Sequence, residues 1–77
     1  MAIAADLVEE IKILTLFNLT SIQEGIKVHG SAGPEAVSAT KRLFDKGLVS
    51  QNDGGYLTDL GIEAAEHAQG VLTILKS

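Results

Sequence analysis

Cysteine and tryptophan are absent from this chain, proline occurs once, and the only aromatic residues are Phe17, Phe44 and Tyr56. Without cysteine there is no disulfide staple, no thiolate metal site and no thiol nucleophile. With so few aromatics, the core must be built mainly from Leu, Ile, Val and Ala. No apolar run approaches the about 18 residues that signal a membrane-spanning helix. The N-terminal stretch carries Asp6, Glu9 and Glu10 where a signal peptide would be basic. A soluble, cytoplasmic protein is therefore expected. His29 and His67 are the only histidines, and neither stands at metal-ligand spacing, so no metal or cofactor is expected. Gly30-Ser31-Ala32-Gly33-Pro34 lacks the lysine and spacing of a phosphate loop, and no Ser/His/Asp set is recognisable. The expectation is a binding protein and not an enzyme.

What is present is 77 residues, 45% of them hydrophobic, which is material for one domain. A chain of this size buries only about 60% of the surface its unfolded form exposes, so its stability is modest. The net charge of −4 disfavours indiscriminate nucleic-acid binding, since phosphate affinity scales with the cations presented. The cations are not evenly spread, however. Residues 26–49 hold Lys27, Lys41, Arg42 and Lys46 against Glu35 and Asp45, whereas both flanking segments are acidic.

Periodicity predicts a first helix over Ala5–Phe17, with Ile3, Leu7, Ile11 and Leu14 in one stripe and Ile13 and Leu16 off it. Ser21 followed by Glu24 has the spacing of a capping box and predicts a short second helix to Val28, with Ile22 and Ile26 on one face. His29-Gly30-Ser31-Ala32-Gly33 reads as a turn. Pro34 at a first helical position and Gly47 past the end bound a third helix to Lys46. Its inward face is expected to be Val37, Thr40, Leu43 and Phe44, with Glu35, Ser38, Arg42 and Asp45 outward. Leu48–Gln51, Asn52-Asp53-Gly54-Gly55 and Tyr56–Thr58 read as a β-hairpin closed by a type I′ turn at Asp53-Gly54. Thr58 caps a last helix to Leu75, its inward face Leu60, Ala64, Ala65, Ala68, Val71, Leu72 and Leu75. Tyr56 is expected to pack its ring in the core with its hydroxyl at the surface.

Helix, short helix, turn, helix, hairpin, helix is a mainly α chain with one small β-hairpin, the order of a winged helix-turn-helix. The segments Lys46-Gly47-Leu48 and Tyr56-Leu57-Thr58 with Gly61 strongly resemble winged-helix regulators of the MarR and PadR kind. Those proteins run from Lys-Gly-Leu through a hairpin to Tyr-x-Leu-Thr-x-x-Gly; here Tyr56 directly precedes Leu57. The chain is also similar to a family of small bacterial proteins of this length described only as DNA-binding. The resemblance implies a winged helix that binds double-stranded DNA and regulates transcription, with the third helix as recognition helix. In two respects the chain departs from it. The wing carries Gln51, Asn52 and Asp53 where a basic residue is usual, and the long flanking helices of larger members have no counterpart.

On that reading Ser38, Lys41, Arg42 and Lys46 contact bases and phosphates from the third helix. Lys27 and His29 hold phosphate from the end of the second, and Asn52 reaches from the wing. The plainer alternatives are a solvated helix with Arg42 paired to Glu35, Ser38 or Asp45, a dipole-compensating Lys27, and a wing that is merely a turn. Glu35 would repel phosphate. The rival function is a winged helix that docks a protein; a continuous positive face over Lys27, Lys41, Arg42 and Lys46 favours DNA, a broken one a protein. Apolar residues off the core stripes, namely Ile13, Leu16, Ile62 and Ile74, predict a homodimer through the terminal helices.

Overall fold

Ala5–Leu14 form helix α1 in the computed structural model, which describes residues 2–21 and 23–77. The helix stops short of Phe17. Thr15 Oγ1 bonds the Lys12 carbonyl at 2.6 Å, and Asn18 Oδ1 accepts from Thr20 N (3.0 Å) and Thr20 Oγ1 (2.6 Å), which turns the chain.

The second helix expected from Ser21 to Val28 does not form. Ile22 lies outside the described residues. Around it, Glu24 N donates to the Ser21 carbonyl (3.0 Å), and the Glu24 carboxylate accepts from Asn18 Nδ2 (3.5 Å) instead of closing a capping box. Ile26–Lys27 are strand β1. A helix of about eight residues is marginal without strong packing, and this one would contain Gly25 and three β-branched residues. Sheet pairing wins. A single 3-10 turn at Gly30–Ala32 follows, then helix α2 over Pro34–Asp45, with Pro34 in its first turn as expected.

Strand β2 (Val49–Gln51) and strand β3 (Gly54–Leu57) form the hairpin, and β1 adds to the other side of β3, giving an antiparallel sheet of order β1-β3-β2. Ile26 pairs with Gly55 and Lys27 with Gly54, and Val28 N donates to the Asp53 carbonyl at 2.7 Å. The turn is not type I′, because Asp53 does not have positive φ. The ladder bulges between Val49 and Gln51, so the left-handed backbone moves one residue on, to Gly54 (φ 127°) and Gly55 (φ 73°).

Helix α3 runs over Asp59–Lys76, capped as expected by Thr58, whose Oγ1 accepts from Gly61 N at 3.0 Å. The same hydroxyl donates to the Gly47 carbonyl (2.6 Å), and Thr58 N donates to the Leu48 carbonyl (3.0 Å). Thus the Gly47-Leu48 turn after α2 and the Thr58–Gly61 start of α3 are one hydrogen-bonded unit. Gly61 is buried against it, and a β-carbon there would run into the Leu48 carbonyl oxygen.

The core is Ile13, Leu14, Phe17, Ala39, Leu43, Val49 and Ala65, between the three helices and the inner side of the sheet. Three expected inward faces are corrected. The covered face of α1 runs through Glu10, Ile13 and Leu14, so Ile3, Leu7 (47% exposed) and Ile11 stand in solvent while Ile13 is buried. On α2 the small Ala36 and Ala39 take the inner face beside Thr40 and Leu43, which turns Val37 (38% exposed) and Phe44 (42%) outward. On α3 Gly61 and Ala65 make the close contact, leaving Leu60, Val71 and Leu75 exposed together with Ile74. Ile62 is half-buried and Leu16 exposed. Gln69, from the middle of α3, donates its amide to the Leu14 (3.2 Å) and Phe17 (2.8 Å) carbonyls, filling acceptors that α1 leaves open at its end. Tyr56 is half exposed, with its ring over Gly25 and not in the core. No helix among the described residues is long and apolar enough to cross a membrane.

Candidate functional site

Helix α2 is held on its inner face by Ala39, Thr40 and Leu43, with Thr40 Oγ1 donating to the Ala36 carbonyl at 2.8 Å. Helical spacing then sets the rest. Val37, Lys41 and Phe44 share the outer face, beside Ser38 and Asp45, all exposed. Arg42 and Lys46, one turn apart, fall on the flank that meets α1.

There they converge on Glu10, a carboxylate only 5% exposed. Arg42 Nε donates to Glu10 Oε2 at 2.9 Å, and Lys46 Nζ donates to Glu10 Oε1. The Arg42 guanidinium also donates to the Asp6 backbone carbonyl (3.2 Å) and lies 3.8 Å from its carboxylate. Burial pushes the Glu10 carboxyl up, but hydrogen bonds from Lys46 and Arg42 and their positive charges outweigh it and hold the pKa below the ordinary 4.5.

Lys27 is placed on β1 and not at a helix end, with its Nζ 3.7 Å from the Asp53 carboxylate. His29 is exposed just before the 3-10 turn, and Asn52 is exposed in the hairpin loop. Ser38 and Arg42 border an open cleft of about 340 Å³ between α1 and α2, whose other walls include Asp6, Glu9 and Glu35. Lys41 is the one cation of α2 without a carboxylate partner among the described residues.

The seven expected contact residues therefore do not form one face. Arg42, Lys46 and Lys27 each sit against a carboxylate, and the partner of Arg42 is neither Glu35, Ser38 nor Asp45 but Glu10, far upstream. Sequence reasoning missed Glu10. The signal was present: Glu10 stands at helical spacing with Ile13, Leu14 and Phe17, all buried, so a charge there demands a partner.

Magnitudes decide what the site offers a polyanion. Removing the partners of a buried carboxylate costs about 3–5 kcal/mol, nearer the lower end here because Arg42 and Lys46 are partly in water. A charge-assisted hydrogen bond to a phosphate returns about 1.5–3 kcal/mol. Two such contacts together return about 3–6 kcal/mol, so leaving Glu10 for one phosphate each is close to an even exchange and offers a polyanion little net affinity while Glu10 stays in place.

Over residues 1–76 the chain matches a family of unknown function, DUF5669. No curated protein and no solved structure matches it.

Proposed function

The chain belongs to the DUF5669 family, which brings no activity with it, and we propose from the geometry that it is a winged-helix binding module whose α2 docks a protein surface. The winged-helix reading is supported by the element order, helix–strand–turn–helix–hairpin–helix, with β1 paired beside β3. The helix that precedes the recognition helix in a helix-turn-helix would be reduced to the 3-10 turn at Gly30–Ala32.

One observation carries the choice of a protein partner over DNA. Lys27, Arg42 and Lys46 are neutralised in place, while the outer face of α2 presents Val37 and Phe44 around Lys41, which has no carboxylate partner among the described residues. Apolar residues around one charge suit a protein interface; DNA contact needs several free cations. The exposed apolar residues of α1 and α3, Leu7, Ile11, Val71, Ile74 and Leu75, further support a second copy of the chain docking through the terminal helices.

The test is a photoreactive residue at position 37 in cells producing the chain, alongside salt-titrated binding of pooled duplexes. Adducts at position 37 should be protein, and duplex binding at about 150 mM salt should be no more than nonspecific. Crosslinks to DNA, or duplex affinity with a log–log salt slope of about −3 to −4 that Lys41→Glu removes, would restore the DNA reading.

A further inference from the structure

We propose that Glu10 masks a phosphate-binding pair formed by Arg42 and Lys46, a site separate from the outer face of α2. Two cations one turn apart are aimed at one carboxylate, an arrangement that a phosphate group reproduces with charge to spare. The Arg42 fork takes two oxygens and the Lys46 ammonium supplies a point charge. Ser38, one turn before Arg42 and beside it on the same cleft, adds a hydroxyl. The second carboxylate, Asp6, is loosely held at 3.8 Å and is itself 76% exposed.

The mask adjoins an exposed stretch of α1. Residues 5–8 of α1 are all exposed, Ala4 gives the helix no side-chain cap, and burial begins only at Glu10. Fraying of these first turns removes Asp6 and leaves Glu10 at the end of the ordered helix, where a phosphate competes with it directly. The ligand is a phosphate group, whether on a nucleic-acid backbone or free in solution. The carboxylate holds it off until α1 yields.

Glu10→Gln tests this, because the amide keeps the shape and removes the competing charge. Fluorescence anisotropy follows a labelled duplex of about two helical turns between about 50 and 200 mM salt. In parallel, inorganic phosphate is titrated into the ¹⁵N-labelled chain while the Arg42 Nε–H resonance is observed. The variant should bind the duplex about tenfold or more tighter than the unaltered chain. Its log–log salt slope should be steeper by about 2, for two released cations at about 0.9 each. Adding Arg42→Gln should abolish the gain. A resonance shift with inorganic phosphate identifies the free group as sufficient, and a gain with duplex alone identifies the backbone as the source. A folded Glu10→Gln chain with neither gain overturns the proposal, and so does an unaltered chain that already binds with the steeper slope. Should Glu10→Gln lose its helical circular dichroism, Asp6→Asn decides: a slope steeper by about 1 supports the mask, and an unchanged slope refutes it.

Discussion

Gly61→Ala is the substitution on which the packing of the last helix can be judged. In a solvent-facing helix position this change stabilises by about 1 kcal/mol, because alanine is the better helix former. Here the new β-carbon would overlap the Leu48 carbonyl oxygen and stand 2.9 Å from the Leu48 carbonyl carbon, both rigid backbone. Relief requires α3 to lift from the turn. Overpacking of this kind costs about 1–3 kcal/mol. The bond from Thr58 N to the Leu48 carbonyl is worth about 0.5–1.5 kcal/mol, and weakening the Thr58 cap adds about 0.5–1 kcal/mol. Against the gain in propensity, the net expectation is a loss of about 2–3 kcal/mol. For a domain this small that lowers Tm by about 10–20 °C, out of a total stability of about 4–12 kcal/mol. Thermal and urea unfolding by far-ultraviolet circular dichroism measure it. Gly70→Ala is the control, since a β-carbon there meets nothing within 4 Å, and it should raise stability slightly. If Gly61→Ala leaves Tm unchanged or raises it as Gly70→Ala does, the close approach of α3 to Leu48 is wrong.

Gly54→Val combines positive φ with a β-carbon 2.5 Å from the Ile26 carbonyl oxygen, and should destabilise by about 2 kcal/mol or more; native urea resistance would contradict the β1–β3 pairing. Glu10 has a folded pKa below its unfolded one, so its contribution is complete above about pH 4.5 and is lost as pH falls through the folded value. Unfolding free energy should therefore drop on acidification, and Glu10→Gln, less stable by about 1–2 kcal/mol at neutral pH, should show a shallower drop. Equal acid limbs would refute the pairing. Sedimentation at tens of micromolar should report a dimer that Leu7→Glu or Leu75→Glu dissociates; a monomer unaffected by either ends the two-copy reading. Ile13, expected at such an interface, is buried in the core and takes no part in it.

The sequence disclosed elements wherever a single residue type dictates local geometry. Pro34 and Thr58 opened α2 and α3, and Asn52–Gly55 marked the reversal, because each acts within a few residues of itself. It concealed what is decided at a distance. β1 is two residues long and lies so close to β3 that a β-carbon on Gly54 would meet the Ile26 carbonyl and one on Gly25 the Gly55 carbonyl. On α1 and α3 the buried faces run through Glu10, Ile13 and Leu14 and through Gly61 and Ala65, which the spacing of the large apolar residues did not disclose, because a charge and small residues take the inner positions. Of the candidate contact residues, spacing placed Ser38 correctly at the surface of α2, whereas Arg42, expected outward, is partly buried on the flank that meets α1. The charge state of the face was not legible, since Arg42 and Lys46 find their carboxylate more than thirty residues away.

Gln69 gives the fold an order in time. The carbonyls of Leu14, the last residue of α1, and of Phe17, just beyond it, accept from an amide that lies more than fifty residues later. On the ribosome α1 emerges before α3, and Gln69 cannot serve those carbonyls until α3 has been made and has reached back. A helix made before α2 and α3 is thus finished only after α3, by a contact of long loop closure that slows folding and cannot form until Gln69 has been made. A nascent chain stalled before Gln69 exposes the apolar side of α1 to chaperones, whatever the stability of the completed domain.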